Sequence, residues 1–159
     1  IIFMDFKKSL SAGLEAAKKA RSNKDEIYST INDISQVINE FSNGLVSLEI
    51  TNEKKRVEDG SMFSAMAAAL GSLGTLPSFK SYQALSFIRN SNGKRIKKIL
   101  AEWSLNDSEG YPCIISYRKQ DVRCTTKDTL AKALNDLLSD ALTGESLLEL
   151  MEMQDQDIN

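Results

Sequence analysis

The side chains that most often carry chemistry are scarce in this sequence. Cys113 and Cys124 are its only thiols, and it contains no histidine. Histidine is the usual general acid or base at neutral pH. Its absence excludes Ser-His and Cys-His nucleophilic pairs. Two thiols without histidine cannot complete a four-ligand zinc site unless carboxylates join them. The acidic C-terminal segment lacks the ligand spacing of a calcium loop. Paired carboxylates can still do acid–base work, as in glycosidases. Asp107 and Glu109 share a turn, but there acidic residues favour the turn and face water. The sequence thus offers no catalytic residue, no cofactor site and no metal site, and it points to a non-enzymatic role. The two cysteines read as free thiols in a reducing, cytoplasmic setting. They would face each other if they flank a short hairpin, so a disulfide stays open.

Charge is a stronger signal. The chain of 159 residues has a net charge of −2, unevenly spread. Residues 80–126 carry nine basic and four acidic side chains, and residues 127–159 carry two basic and eight acidic. Arg89, Lys94, Arg95, Lys97 and Lys98 surround an Asn92-Gly93 turn, and Arg118, Lys119 and Arg123 mark the next hairpin. Phe87, Trp103, Tyr111 and Tyr117 lie among them. Basic residues with aromatics on an open sheet suit a nucleic-acid backbone and its bases. The competing reading is that these charges protect hairpin edges and the aromatics are core. The same patch could instead dock the acidic C-terminal helices.

A third signal is an aliphatic stripe. Ile27, Ile31, Ile34, Ile38 and Phe41 follow one another at spacings of four and three, the seam of an amphipathic helix. Phe3, Phe6, Leu10, Gly13, Ala17 and Ala20 step likewise, with large residues first and small ones last. Ser22-Asn23-Lys24 reads as a break between two helices, with Asn23 and Glu26 as a reciprocal cap. The expectation is a helical hairpin over residues 1–44, packed on the body or joined to a second copy as a two-fold dimer.

The body, residues 45–159, reads as one cooperative unit with that hairpin. Leu45 to Thr51 alternates as a strand. Residues 61–79 carry no charge and suggest a short helix and a Gly/Ser/Thr loop, too polar for a membrane span. Strands follow at 82–88, 94–104 (also compatible with a helix), 113–117 and 122–125. Thr125 with Asp128 resembles a capping box for a helix, and Gly144 separates a last one. Residues 1–5 lack the basic leader and long apolar run of a signal peptide. At 42% hydrophobic and 26% charged, the chain can build a core without metal or disulfide.

The layout is α+β: an N-terminal helical hairpin, an antiparallel β-meander, and C-terminal helices on one sheet face. The expected role is binding a macromolecule, foremost a protein, as a bacterial or viral accessory, inhibitor or immunity factor. Nucleic-acid binding by the basic sheet is the alternative.

Overall fold

The computed structural model describes residues 5–56 and 78–154. Five strands form one antiparallel sheet in chain order: β1 (Ser47–Arg56), β2 (Phe79–Ser91), β3 (Lys94–Asn106), β4 (Gly110–Tyr117) and β5 (Gln120–Cys124). A long helix, α1 (Phe6–Phe41), precedes them, and α2 (Lys127–Leu138) and α3 (Ala141–Glu152) follow. The architecture is α+β, a meander with the C-terminal helices packed against the sheet. The helix and loop expected over 61–79 lie, except for Ser78 and Phe79, outside the described residues.

Local chemistry explains the meander. The β2–β3 turn places Asn92 and Gly93 at φ 52° and 76°, the mirror-image turn that an Asn-Gly pair favours. Arg118 and Lys119 take the same hand at φ 51° and 60° in the β4–β5 turn. Neither residue prefers that region, so this turn is strained. Residues 94–104, ambiguous by pattern, are strand throughout.

Strand alternation puts Leu48, Leu85, Phe87, Ala101, Trp103, Cys113, Ile115 and Cys124 into one core. Ile27, Ile31 and Ile38 of α1, Leu130, Leu134 and Leu137 of α2, and Leu150 of α3 complete it. α1 crosses this face diagonally. Its middle sits beside the start of β4, where Tyr111 donates its hydroxyl to Glu26 at 2.7 Å. Its later turns meet the start of β1, where the Leu48 amide donates to Ser35 Oγ at 3.0 Å.

The expected helical hairpin is absent. α1 is one continuous helix of 36 residues, and Ser22, Asn23 and Lys24 lie inside it. The reason is tertiary. Asn23 does not cap a helix; its amide donates to the Glu109 carbonyl at 3.0 Å. The Lys24 ammonium donates to the Asp107 carbonyl. Polar residues that would favour a break in an isolated peptide are satisfied by the β3–β4 turn. Lys24 also falls four after Ala20 and three before Ile27, so the three-four repeat passes through it unbroken.

Two later boundaries also move. The capping box is formed by Thr126 and Thr129, not Thr125 and Asp128. Thr126 Oγ1 accepts from the Thr129 amide at 3.2 Å, and Thr129 Oγ1 accepts from the Thr126 amide at 2.9 Å. Gly144 lies inside α3. The helices separate at Asp140 instead, whose carboxylate accepts from the Leu142 amide at 2.9 Å and starts α3.

Gly110 joins the turn to α1. Its φ is 86°, and a Cβ there would lie 3.0 Å from Asn23 Cβ and 3.3 Å from the Lys24 backbone nitrogen. Gly44, just past α1, has φ 81°, but a Cβ there would meet nothing within 4 Å. Gly44→Ala should cost only the left-handed backbone preference, about 1–2 kcal/mol. Gly110→Ala should cost more than Gly44→Ala, because helix and turn must also separate. Urea unfolding of the two variants side by side measures the difference.

Candidate interaction surfaces

α1 divides into two halves with different surroundings. From Ile27 to Ile38 its apolar stripe is inside the core. From Phe6 to Lys19 every residue is exposed. Phe6, Leu10 and Leu14 are 68%, 69% and 63% exposed, although their spacing is that of a packing face. Residues 6–22 therefore form an arm of about 25 Å that leaves the body with a bare apolar seam.

The arm's root is fixed by polar contacts. Asn23 and Lys24 hold the carbonyls of Glu109 and Asp107, and Glu26 accepts the Tyr111 hydroxyl. Partial burial and the neighbouring Glu26 carboxylate both push the Tyr111 hydroxyl far up, so it stays a donor. The turn itself is tied by Asn106, whose side-chain oxygen accepts from the Ser108 and Glu109 amides at 2.9 Å each. Between root, turn and the start of α2 lies a cleft of about 730 Å³, lined by Ala16, Ala17, Ala20, Ser108, Glu109 and Thr126 among others.

The residues expected to form a docking seam have another place. Ile27, Ile31 and Ile38 are buried against the chain's own sheet, and Ile34 is half-buried beside them. Phe41 alone is exposed, at the end of α1. Hence the stripe over 27–38 serves the core, while the first half of the helix is bare. Phe6 and Leu10 were visible in the sequence as a stripe, but a hairpin partner would have covered them. Leu14 lies one step off the strict repeat and was missed.

The basic cluster does not form one open patch. Arg89 is buried and donates to the Leu150 carbonyl in the last turn of α3, where helix carbonyls lack partners. On the sheet face away from the helices, Arg95 pairs with Glu49 at 2.6 Å and Lys97 with Glu53. The Lys97 hydrogen bond holds the Glu53 carboxyl below its usual range against some desolvation. Lys98 pairs with Glu149 at 2.6 Å, and Arg118 with Asp140 at 2.8 Å. Lys94, Lys119 and Arg123 are exposed and make no ion pair among the described residues. Phe87 and Trp103 are buried, and Tyr111 and Tyr117 pack against the core. The aromatics thus provide no open stacking platform.

The cysteines do face each other. Cys113 and Cys124 are register partners across β4 and β5, both free and buried. Burial pushes the Cys113 thiol up to about 12, and the Cys124 thiol adds to the shift. Burial raises Cys124 as well. Thiols held protonated are poor nucleophiles. Among the described residues no three acidic or thiol groups cluster so as to hold a metal ion, and no helix is long and apolar enough to cross a membrane. Comparison with known proteins finds no matching family model, no similar curated protein and no similar solved structure.

Two outcomes follow from these contacts. Arg89→Met should lose about 1.5–3 kcal/mol, the typical worth of a hydrogen bond from a charged group, measured by chemical denaturation. The second concerns alkaline pH. A thiol in the unfolded chain ionises near 9.0, whereas folded Cys113 holds its proton to about 12. Below pH 9 both states are protonated and the contribution is complete. Above it the unfolded chain releases its proton first, so stability falls as pH rises from about 9 to about 12. Cys113→Ala should flatten this part of the stability–pH profile relative to the native chain.

Proposed function

We propose that this protein is a non-enzymatic binding protein whose contact element is the first half of α1. The observation that carries the reading is the exposure of Phe6, Leu10 and Leu14 on one continuous helix anchored to a folded body. A monomer rarely presents aligned large apolar side chains to water unless something covers them. The helix-in-groove or helix-on-helix mode uses anchors at this spacing. The absence of histidine supports a role in binding over catalysis. The partner is a protein surface, as suits an accessory factor. Free, buried thiols in direct register fit a reducing compartment.

The nucleic-acid alternative has less to draw on. Arg95, Lys97, Lys98 and Arg118 are already neutralised by carboxylates of the same chain. Lys94, Lys119 and Arg123 remain for a phosphate backbone.

Leu10→Glu separates the readings. Leu10 is exposed, so the variant should match the native chain's stability to within about 0.5 kcal/mol. Protein partners identified on immobilised native chain should be lost on the variant. Lys94→Glu with Lys119→Glu and Arg123→Glu should retain them. If the triple variant loses binding while Leu10→Glu keeps it, and labelled RNA or DNA is retained by native chain at low salt, the nucleic-acid reading replaces this one.

A further inference from the structure

We propose that the arm's occupant is the arm of a second copy, laid antiparallel across it. The inference rests on the reading of the arm as the contact element and names its partner.

Side-chain size is graded along the arm. Along the seam, Phe6 and Leu10 lie toward the tip, and Gly13, Ala17 and Ala20 toward the root. A helix laid parallel to its copy would set large against large at one end and small against small at the other, and the two would splay. An antiparallel copy reverses the gradient. With a two-fold axis crossing between residues 11 and 12, Phe6 is level with the partner's Ala17, and Leu10 with the partner's Gly13. Every layer then holds one large and one small residue, and the spacing between axes stays even. This is the alternation that lets facing layers interdigitate.

The flanks agree. Residues beside the seam in this register are Lys7 against the partner's Leu14, and Ser9 against the partner's Ala16. The lysine stem can cover the leucine while its ammonium stays in water. No pair of like charges meets across the seam. The arm is basic, with Lys7, Lys8, Lys18, Lys19 and Arg21 against Asp5 and Glu15. Asp5 and Glu15 lower the net positive charge of each arm, which lessens the repulsion between two arms.

An independent feature of the body lies where the register requires it. The tip of the partner must end beside Ala17 and Ala20. Those two alanines, with Ala16, form the helical wall of the cleft at the arm's root. The turn Ser108–Glu109 and the start of α2 form the other walls. The partner's Phe6, level with Ala17, enters this cleft. Aromatic anchors in a pocket carry much of the energy of such contacts. Symmetry repeats the insertion at the opposite end, so two arms bury two seams and fill two clefts.

Paired cysteines read the register directly. A Cβ at Gly13 meets nothing within 4 Å, and Leu10 is exposed, so both positions accept cysteine without disturbing the fold. The native cysteines are buried and do not compete. Native chain should sediment as a dimer at micromolar concentration, and Leu10→Glu should sediment as a monomer whose thermal unfolding matches that of native chain diluted until it is monomeric. Under mild oxidation, a mixture of Leu10→Cys and Gly13→Cys chains should yield the mixed disulfide, with little cross-linking in either chain alone. Phe6→Ala should weaken association at least tenfold without changing unfolding of the monomer.

Five results overturn the proposal. A native chain that is monomeric throughout refutes self-association, while the arm remains a contact element if Leu10→Glu still abolishes partner binding. A dimer that survives Leu10→Glu places the interface elsewhere. Efficient cross-linking of Leu10→Cys chains to themselves shows a parallel arrangement. A dimer that keeps its affinity in Phe6→Ala empties the cleft of its assigned occupant. Salt supplies a further sign. Two basic arms should associate no more weakly as salt rises, because screening reduces their repulsion, and steep dissociation by salt contradicts the proposal.

Discussion

A sheet of limited size meets a helix that is too long for it, and the rest of the molecule follows from that mismatch. Strands lie about 4.8 Å apart and rise about 3.3 Å per residue. The diagonal from the start of β4 to the start of β1 is roughly 25 Å, which a helix covers in about 17 residues at 1.5 Å each. α1 has 36 residues. Its second half, with Ile27, Ile31 and Ile38, therefore covers the sheet, and the first half has no surface of its own chain to cover. The boundary between the halves is polar: Asn23, Lys24 and Glu26 hold the β3–β4 turn at the point where the helix leaves the body.

The sheet was legible because its signals are local. Strand alternation, the Asn92-Gly93 turn and the hairpin around Arg118 and Lys119 depend on neighbours in sequence. What escaped the sequence was decided at long range. Asn23 and Lys24 have the chemistry of a helix break, and only the carbonyls of Glu109 and Asp107, more than eighty residues away, remove the reason to break. The unbroken three-four spacing through Lys24 was the available sign that one helix runs on. Thr126 displaced Thr125 as a cap because Thr129 offers the reciprocal hydroxyl. Gly144 costs a helix about 1 kcal/mol against alanine, too little to end α3 once Leu150 is buried and Arg89 holds its last turn.

Charge was legible as regional totals but not as a surface. A basic stretch over residues 80–126 suggests a patch only if its neighbours in space are also its neighbours in sequence. Glu49 and Glu53 of β1 lie within reach of Arg95 and Lys97, two strands away in the sheet. The fold likewise brings Glu149 to Lys98 and Asp140 to Arg118. Arg95–Glu49 and Lys98–Glu149 are exposed on both sides, and pairs of that kind add little stability each. Their larger effect here is to spend the basic residues inside the chain. Ala84, Ser86 and Ile88 alternate with the core residues Leu85 and Phe87 and are also buried.

The arm's exposure would be costly if its helix had to form upon binding. An isolated segment of its length is marginal in water, because the first turn must be fixed before any bond repays it. Here that step is already taken. The buried half of α1 supplies the nucleus, and the arm extends it residue by residue. Leu14, Glu15, Ala16, Ala17, Lys18, Lys19, Ala20 and Arg21 are all strong helix formers, and Asp5 closes the free end by accepting from the Lys8 amide at 3.1 Å. Gly13 is the weak position, yet it is also where a second helix can approach most closely. The seam's backbone is thus already ordered, so apolar contacts made there by the proposed partner would not have to offset the entropy of folding. The contacts of Asn23 and Lys24 with the β3–β4 turn fix the direction in which the arm leaves the body.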